Sequence, residues 1–536
     1  MKQHDSTTST RRFRRTLSAS LLGTMVSAAL SAGTAHGATV MADFNGDGYE
    51  DLLVVDPTAP VEDNYQGVIN VIATDSAGLR PGESAQTISS KQVFPYLGEW
   101  GNGFGNAVAV GDFNGDGRDE LAVGAPYLDL GAKYMSGAVH VLESDANGLT
   151  HLNATNLYQY RSDLFNNRGY ALASGDFNND GYDDLAVGVP GMARRGESNL
   201  ENGQAGVGGV EVYFGSALGV QVSVPMLLTR PYRQYAGAPQ RGEKFGYSLA
   251  SGDFNGDGFD DLLIGSPFAS HSSSDGREHS RAGLVTLFFG KSVGFGSMPM
   301  VIRDVDETDN SNDRFGKSLA AGDFNGDGVD DFAIGHPDER VGSLRRAGAV
   351  TTYLGHGRLE ANGWVSGSLW YQNRSGVPGR SEQGDYFGGA LTSADFDGDG
   401  TDDLAIGVPG EDFEGTFFDD VNAGAVLALY GTRTRGLVLR TSAGAWDQDT
   451  PGIEGGRESY DLFGAKLSAG DLNADGTADL VIGVSGERVS GQNGQGVVQM
   501  IPGGYAGLAP ISGQTQIYHR GNLRGVGGIN FGQVLP

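Results

Sequence analysis

The sequence predicts an all-β fold: a seven-bladed β-propeller of four-stranded blades over residues 38–536. Three observations support this prediction. An Asp-rich loop recurs seven times along the chain. Apolar segments with the alternation of β-strands flank every copy of the loop. The two ends of the chain carry complementary parts of one repeat, which predicts a closed ring.

The first 37 residues have the features of an export signal peptide. Arg11, Arg12, Arg14 and Arg15 precede a run of small apolar residues at 17–30, and small residues at 35–38 predict cleavage near residue 37. The paired arginines are compatible with twin-arginine export. The apolar run is short and contains Ser and Gly, which favours a signal over a membrane anchor. We therefore expect a secreted, soluble mature protein, and the sequence leaves the export route open.

Composition excludes several classes of function. The chain has 536 residues and no Cys, so disulfides, thiolate nucleophiles and Cys-ligated zinc are excluded. Its formal net charge of -29 argues against nucleic acid as a partner and calls for counterions. The 88 glycines indicate many tight turns, as short strands require.

The repeated loop reads DFNGDGYED in its first copy and DFNGDGRDE in its second. Copies start at Asp43, Asp112, Asp176, Asp253, Asp323, Asp395 and Asp471. Successive starts are 69, 64, 77, 70, 72 and 76 residues apart, so one unit of about 71 residues recurs along the chain.

Within each loop, positions 1, 3, 5 and 9 hold acids or Asn, and position 6 holds Gly. An all-oxygen shell of this kind suits a hard cation such as Ca²⁺, with position 7 contributing its carbonyl oxygen. Up to seven Ca²⁺ ions are predicted. The predicted calcium ligands are Asp43, Asn45, Asp47, Tyr49, Asp51, Asp112, Asn114, Asp116, Arg118, Glu120, Asp176, Asn178, Asp180, Tyr182, Asp184, Asp253, Asn255, Asp257, Phe259, Asp261, Asp323, Asn325, Asp327, Val329, Asp331, Asp395, Asp397, Asp399, Thr401, Asp403, Asp471, Asn473, Asp475, Thr477 and Asp479.

A single loop of this composition is also typical of a plain solvated turn. Seven copies with one spacing favour the metal site instead. Positions 1, 3, 5 and 9 together hold 22 carboxylates, which would repel one another without a cation. Whether every loop is filled is left open by the sequence.

Strand patterns surround each loop. An FG pair and alternating small and apolar residues precede it, and LAVG or LAIG followed by a Pro-containing GAP-like segment comes after it. A third strand follows, and a fourth, outer strand is predicted near residues 157–161 and 369–372. The first copy lacks its FG segment, whereas residues 530–536 read NFGQVLP. We expect the C-terminal strand to complete the first blade and close the ring.

The combination of FG, GAP and DxDGxxD resembles the FG-GAP repeats of the integrin α-subunit N-terminal propeller and of secreted bacterial relatives. The resemblance covers nearly all of residues 40–536. It implies a cell-adhesion module with Ca²⁺ in the loops between first and second strands on one face, and ligand recognition on the opposite face.

The sequence departs from the integrin pattern in three respects. The intervals of 77 residues or less leave no room for an inserted I domain, and we expect neither leg domains nor a membrane anchor. A signalling receptor subunit is therefore not implied. Some fungal lectins are similar in fold and calcium loops, so a lectin-like carbohydrate binder remains the alternative.

Catalytic motifs are weak, and we expect a protein that is not an enzyme. GKSVG at 290–294 formally matches a nucleophile elbow but follows a strand without a helix after it, which favours a turn. The nine His are scattered and form no HExxH. A polysaccharide-active enzyme is the least favoured alternative, because its residues would have to converge from several blades.

Two sets of residues are candidates for binding an extracellular protein or glycan, by a chain expected to be monomeric. The loops after the GAP-like segments of three consecutive blades predict a basic patch, with solvated loop ends as its alternative; the patch comprises Arg194, Arg195, Arg277, Arg281, Arg340, Arg345 and Arg346. The segments before each FG carry aromatics that suit either sugar stacking or blade packing; they are Trp100, Tyr160, Tyr235, Trp370, Tyr371 and Trp446. We favour packing, because an aromatic recurs two residues before Gln.

Overall fold

A computed structural model gives the architecture of the chain. It describes residues 42–57, 60–61, 64–65, 67–76, 78–79, 86–93, 102–130, 133–158, 165–193, 206–232, 237–272, 277–304, 311–357, 359, 367–414, 420–440, 444–488, 496–511 and 516–518. The predicted export signal, the predicted closing strand at 530–536, Arg194, Arg195, Trp100, Tyr160 and Tyr235 lie outside these residues.

Seven antiparallel sheets follow one another along the described chain and form the seven blades. Blades 2 to 7 have four strands in sequence order, and blade 1 shows three, the second to the fourth. The first strands are Val108–Gly111, Leu172–Gly175, Leu249–Gly252, Ser318–Gly322, Leu391–Ala394 and Phe463–Gly470. The second strands are Leu52–Asp56, Glu120–Ala125, Asp184–Gly188, Asp261–Ser266, Asp331–His336, Asp403–Val408 and Asp479–Val484.

The outer half of each blade is built from the third and fourth strands. The third strands are Val68–Ile72, Ala138–Asp145, Val210–Tyr213, Leu284–Phe288, Ala349–Tyr353, Ala425–Leu429 and Val497–Ile501. The fourth strands are Gln86–Ser89, Gly148–Leu157, Met226–Leu228, Met300–Ile302, Gly367–Trp370, Ala445–Trp446 and Gln516–Tyr518. The remaining elements are the helix Ser90–Val93 and the short hairpin strands Pro60–Val61, Asn64–Tyr65, Thr74–Asp75, Gly78–Leu79, His271–Ser272, Glu278–His279, Gly290–Lys291 and Gly294–Phe295.

The predicted all-β propeller is thus confirmed. Its core consists of clusters of buried side chains, each of which joins two neighbouring blades. One cluster joins Leu52, Val54 and Ile72 of blade 1 to side chains of blade 7, including Val481 and Val498. Blade 7 therefore packs directly against blade 1, which closes the ring through the second and third strands of blade 1.

The strand order divides the connections between two faces. The Asp-rich loops join first to second strands and lie on one face, here called the loop face. The segments between second and third strands, and those between successive blades, lie on the other face, here called the opposite face. Chain direction alone sets this arrangement, because antiparallel neighbours reverse direction at each connection.

Blade 3 departs from its neighbours at the FG pair. Arg168 stands where the other described blades have Phe, and its side chain is fully buried. Its guanidinium Nε and Nη2 donate to both carboxylate oxygens of Glu211 on the third strand of the blade, at 2.8 and 2.9 Å. Tyr213 donates its hydroxyl to the same carboxylate at 2.9 Å. A buried charged pair therefore replaces an aromatic side chain within the core.

Candidate metal-binding loops and the opposite face

The acid at position 1 organises each loop through backbone hydrogen bonds. In the second loop, Asp112 Oδ1 accepts the N–H groups of Gly115 at 2.7 Å and Asp116 at 3.0 Å, and its Oδ2 accepts that of Gly117 at 2.9 Å. Bonds from positions 5 and 6 recur in the other six loops. Position 6 has a positive φ in every loop, which glycine adopts without strain.

The residue at position 2 anchors the loop in the core. Phe44, Phe113, Phe177, Phe254, Phe324 and Phe396 are fully buried, and Leu472 takes this place in the last loop. Position 5 completes the turn, because its carboxylate accepts the N–H of position 7 in all seven loops. Hydrogen bonds within each loop therefore set its tight turn.

The acid at position 9 is buried and lies at the start of the second strand, or directly before it in blade 1. In six loops its carboxylate accepts the N–H of the residue two positions beyond the third strand, as Asp184 does from Gly215 at 2.8 Å. Some oxygens at positions 3 and 9 remain buried without a hydrogen-bond partner among the described residues: Asn114 Oδ1, Glu120 Oε2, Asp261 Oδ2 and Asn473 Oδ1. These carboxylate and amide oxygens fit the ligand shell of Ca²⁺. The positions named by the sequence could therefore hold the ion.

Burial, and secondarily the neighbouring carboxylates, raise the pKa of the position 9 acids. The pKa is raised to about 8 for Glu120, Asp184, Asp331 and Asp479, and to about 9 for Asp403. Asp51 reaches about 7, and the pKa of Asp261 lies well above its ordinary value. A cation in the loop would oppose this effect by favouring the charged carboxylates.

The sixth loop is the most carboxylate-rich. One oxygen each from Asp395, Asp397 and Asp403 lies within 4.8 Å of the others. Arg440 contacts Asp397 and lies 3.7 Å from Asp399. Asp397, the additional carboxylate of this loop, is therefore paired with Arg440, so it does not make the site more negative than the others.

Sequence analysis missed a second set of acids, at position 8. Each accepts the backbone N–H of position 1 in the preceding loop, at 2.6 to 3.0 Å. These latch acids are Glu50, Asp119, Asp183, Asp260, Asp330 and Asp402. Burial raises the pKa of Glu50 to about 8 and that of Asp402 to about 7. Their function is to tie one loop to the next around the ring.

Two features show how the latch closes the ring and where it is missing. Glu50 Oε2 accepts the N–H of Asp471 at 2.6 Å, so a residue of blade 1 holds the last loop. The seventh loop has Ala478 at position 8, and only the backbone bond from Ala478 N–H to the Asp395 carbonyl remains there, at 3.0 Å.

The residue before each loop is small. A Cβ added to Gly111, Gly175, Gly252 or Gly322 would lie 2.7 to 2.8 Å from the latch oxygen. Ala394 stands at this place where Ala478 replaces the latch acid. Ala42 precedes the first loop, although the latch bond from Asp43 N–H to Asp119 is present there at 2.8 Å. Glycine is therefore not required beside a latch, and the repeated acid at position 8 is the sequence signal that identifies it.

The opposite face carries the described part of the predicted basic patch. Arg277, Arg281, Arg340, Arg345 and Arg346 are exposed and lie between second and third strands of blades 4 and 5. Arg346 Nε lies 3.6 Å from Asp338 Oδ1. Asp338 is also contacted by Arg314 at 3.1 Å and by Lys317 at 3.8 Å. Three cations thus surround this carboxylate.

The structure also places the GKSVG segment and those candidate aromatic residues that it describes. Trp370 and Trp446 are 8% and 4% exposed, which confirms the packing interpretation for these two residues. The GKSVG segment forms a hairpin in which Lys291 pairs with Gly294, so it is a turn and not a nucleophile elbow. Tyr232 also stands two residues before a Gln, but it is 71% exposed, so the packing interpretation is wrong for this copy of the motif. Two other exposed aromatic side chains on the opposite face, Tyr134 and Tyr460, were not selected by the sequence analysis and are 61 and 62% exposed.

Polar pairs fill the junctions between blades beneath the opposite face. Between blades 3 and 4, Arg230 and Glu243 form a buried bidentate ion pair at 2.9 and 3.0 Å. Between blades 5 and 6, Gln372 donates to Glu411 at 2.5 Å, and Gln448 donates to Glu487 at the same distance between blades 6 and 7. Each of these three junctions therefore contains a local polar pair, while Gln372 Oε1 and Gln448 Oε1 are buried without a hydrogen-bond partner among the described residues.

Comparison with known proteins agrees with the fold. The model of the FG-GAP repeat matches residues 104–142, 168–207, 245–288, 315–353, 387–429 and 463–499. Integrin alpha-7 of Rattus norvegicus is 32% identical over 205 residues, covering 38% of this chain and 15% of that protein. Integrin alpha-5 of Xenopus laevis is 32% identical over 246 residues, covering 46% of this chain and 20% of that protein.

A relative with an enzyme's name is also similar. Phosphatidylinositol-glycan-specific phospholipase D of Bos taurus is 30% identical over 225 residues, covering 40% of this chain and 25% of that protein. The chain thus spans between 15% and 25% of the length of these three relatives. Within the part of the chain that the structure describes, no helix is long and apolar enough to cross a membrane.

Proposed function

Because this chain is an integrin-like FG-GAP β-propeller, we propose that it is a secreted, calcium-binding module for adhesion to an extracellular ligand. The observation that carries the proposal is the set of seven like loops with buried carboxylate and amide oxygens. Asn114 Oδ1 and Glu120 Oε2 of one loop lack a hydrogen-bond partner among the described residues, and Ca²⁺ would bind such oxygens.

The calcium ions have a structural role in this proposal. Positions 1, 3, 5 and 9 of each loop would hold the ion, which supplies positive charge among carboxylates that otherwise repel one another. The loops connect the inner strands, and the latch acids connect the loops, so an ordered loop face holds the blades in one arrangement. The opposite face is then left free to vary.

Recognition on the opposite face follows from its composition. The exposed Arg340 and Arg345 lie in a chain with a net charge of -29, so a positive region there favours an acidic ligand surface. Secretion rests on the leader at residues 1–37. We propose no catalytic role, because the loop carboxylates already accept backbone N–H groups or serve the proposed ion, and the similarity to the phospholipase covers a quarter of that protein.

A lectin-like function is the second candidate, and one observation favours it. Tyr134, Tyr232 and Tyr460 expose 61, 71 and 62% of their surface on the opposite face. Aromatic rings of this kind stack against sugar rings in carbohydrate-binding sites. The two candidates differ in the chemistry of the ligand and share the calcium loops.

The test begins with the full chain expressed with its own leader and recovered from the medium. Binding to immobilised extracellular proteins and to a glycan array is measured in millimolar calcium and after chelation. We expect calcium-dependent retention of a protein ligand, which R340E/R345E weakens without changing the melting temperature. Glycan hits weakened by Y134A and Y460A would establish the lectin instead, and catalytic turnover of a retained ligand would contradict a purely adhesive role.

A further inference from the structure

A cluster of three metal-ligating side chains lies far from the calcium loops, between blades 4 and 5. His336 is the last residue of the second strand of blade 5, at the end opposite to loop 323–331. Its Nδ1 lies 3.1 Å from Glu339 Oε2 and 3.5 Å from Asp304 Oδ2. Asp304 comes from blade 4, two residues beyond the fourth strand. The side chains of His336, Asp304 and Glu339 are 0, 1 and 10% exposed.

The three residues converge in a way that suits one ion. One ligand atom from each lies within 4.8 Å of the others. The second ring nitrogen of His336, Nε2, lies 3.1 Å from Thr351 Oγ1, and the Phe315 ring packs edge-on against the imidazole at 5.5 Å. These contacts hold the ring with Nδ1 toward the two carboxylates, as outer contacts orient histidine ligands in metal sites.

Comparison with the corresponding junctions shows what is unusual here. Where this junction has Asp304, the next two have Gln372 and Gln448, each of which donates an amide N–H to the glutamate that corresponds to Glu339. Where this junction has His336, the next two have Val408 and Val484. A neutral amide and an aliphatic group are thus replaced together by a carboxylate and an imidazole. Two buried carboxylates beside one imidazole are stabilised by a cation between them or by protonation of one of the three groups.

We propose that Asp304, His336 and Glu339 bind one divalent first-row transition-metal ion, for which Zn²⁺ is the appropriate probe. An imidazole nitrogen with two carboxylate oxygens suits Zn²⁺ and related ions, whereas Ca²⁺ and Mg²⁺ prefer oxygen alone. Three protein ligands would leave a fourth position for water. This site is separate from the seven loops and does not depend on the proposed adhesive function.

The experiment uses the untagged full chain, stripped with chelator and then dialysed into excess Ca²⁺ so that the loops do not compete for the added metal. Zn²⁺ is titrated by calorimetry, and bound Zn²⁺ is counted by mass spectrometry after gel filtration. We expect each wild-type chain to bind one Zn²⁺ ion. H336V and D304Q should not retain this ion, because each variant is expected to bind Zn²⁺ with an affinity at least about 100-fold lower. Bound Co²⁺ should give the visible absorption of a four-coordinate site.

Both substitutions copy the neighbouring junctions, so the double variant D304Q/H336V is expected to fold and to melt like the wild type. E411Q, in the junction between blades 5 and 6, is the matched control and should keep the Zn²⁺ ion. H271A is a second control. It alters a separate pair of buried histidines, His271 with His279, and should also keep the Zn²⁺ ion. Wild-type protein that binds no Zn²⁺, or variants that bind it as the wild type does, would overturn the proposal.

Discussion

The two faces of the propeller follow different rules. On the loop face, two sets of hydrogen bonds recur in every blade, because position 1 holds the turn and position 5 holds position 7. A third set recurs at six junctions, where the latch acid holds the preceding loop. On the opposite face, four junctions between blades use three kinds of polar set: Arg230 with Glu243, Asp304 with His336 and Glu339, and a Gln–Glu pair that occurs twice, as Gln372 with Glu411 and Gln448 with Glu487.

This difference teaches which part of the molecule fixes the ring and which part is free to change. Loop-face contacts join side chains to backbone N–H groups. Every residue except Pro supplies such a group, so these contacts persist when the residue that donates the N–H is substituted. Opposite-face contacts join side chains to side chains and must change in pairs. A uniform face therefore supports the fold, whereas a varied face can acquire individual binding properties.

Removal of calcium should produce the largest effect, because it acts on all seven loops together. Extracellular modules bind Ca²⁺ at roughly 0.1 to 1 mM, and tenfold saturation adds about 1.4 kcal/mol for each independent site. Seven sites would contribute on the order of 10 kcal/mol to the free energy of unfolding. We expect EDTA to lower the melting temperature in calorimetry by on the order of 10 °C or more.

Two controls sharpen that measurement. Excess Ca²⁺ should restore the melting temperature, whereas equimolar Mg²⁺ should not, because Mg²⁺ demands octahedral geometry and dehydrates reluctantly. A chelated sample that melts like the calcium-loaded protein would remove the structural role of the loops and with it the comparison between the faces.

The buried pair in blade 3 tests whether a side-chain pair must change as a unit. E211L would leave Arg168 charged and buried, so we expect the free energy of unfolding to fall by about 3 to 5 kcal/mol. R168F/E211T copies blades 4 and 5, which have Phe245 with Thr286 and Phe315 with Thr351 at these places. We expect the double variant to be at least as stable as the wild type in urea unfolding. If the single and the double variant lose the same free energy of unfolding, Arg168 and Glu211 do not need to be substituted together.

Much of the fold was predictable because it is repeated. Seven loops with one spacing identified the blades, the loop face and the positions of the predicted ligands, since each copy confirms the others. The Trp residues at 370 and 446 were correctly assigned to packing for the same reason. Repetition thus replaces the long-range information that a single sequence lacks.

The latch acids were missed although they are repeated. Adjacent acids at positions 8 and 9 look alike in sequence, and only the structure shows that position 9 faces its own loop whereas position 8 reaches the preceding blade. The cluster around His336 was beyond sequence reasoning for another reason. Its residues come from two blades, and the exchange of Gln for Asp304 becomes visible only when the junctions are superposed.

The acids beneath the opposite face should make stability depend on pH. Burial raises the pKa of Asp385 to about 8 and, despite the Gln372 hydrogen bond, that of Glu411 to about 7. Between the unfolded pKa near 4 and these values, the folded state holds protons that the unfolded state has lost. The free energy of unfolding therefore falls as pH rises through this window, by up to about 1.4 kcal/mol per pH unit for each group.

The variant D385N/E411Q isolates this contribution, because it leaves the loops and their calcium unchanged. Unfolding by urea is measured from pH 5 to pH 8 in excess Ca²⁺. We expect the wild type to lose more stability than the variant across this range. Identical slopes would show that Asp385 and Glu411 are already ionised in the folded protein.

Single latch acids should have the smallest effect, because each accepts one backbone hydrogen bond. E50A removes the bond that joins blade 1 to the last loop and leaves the Asp471 N–H without it, so we expect a loss of about 1 to 3 kcal/mol in the free energy of unfolding. The converse change builds the latch where it is missing: A478D supplies the acid and A394G supplies the space that the latch oxygen occupies at four other junctions. We expect the free energy of unfolding of A394G/A478D to exceed that of A394G alone. D260A, which removes a latch acid at an intact junction, should lower the free energy of unfolding by a similar amount. If E50A melts like the wild type while D260A does not, the ring is closed by packing between Val54 and Val481 and not by the latch, and the latch would then act at five junctions only.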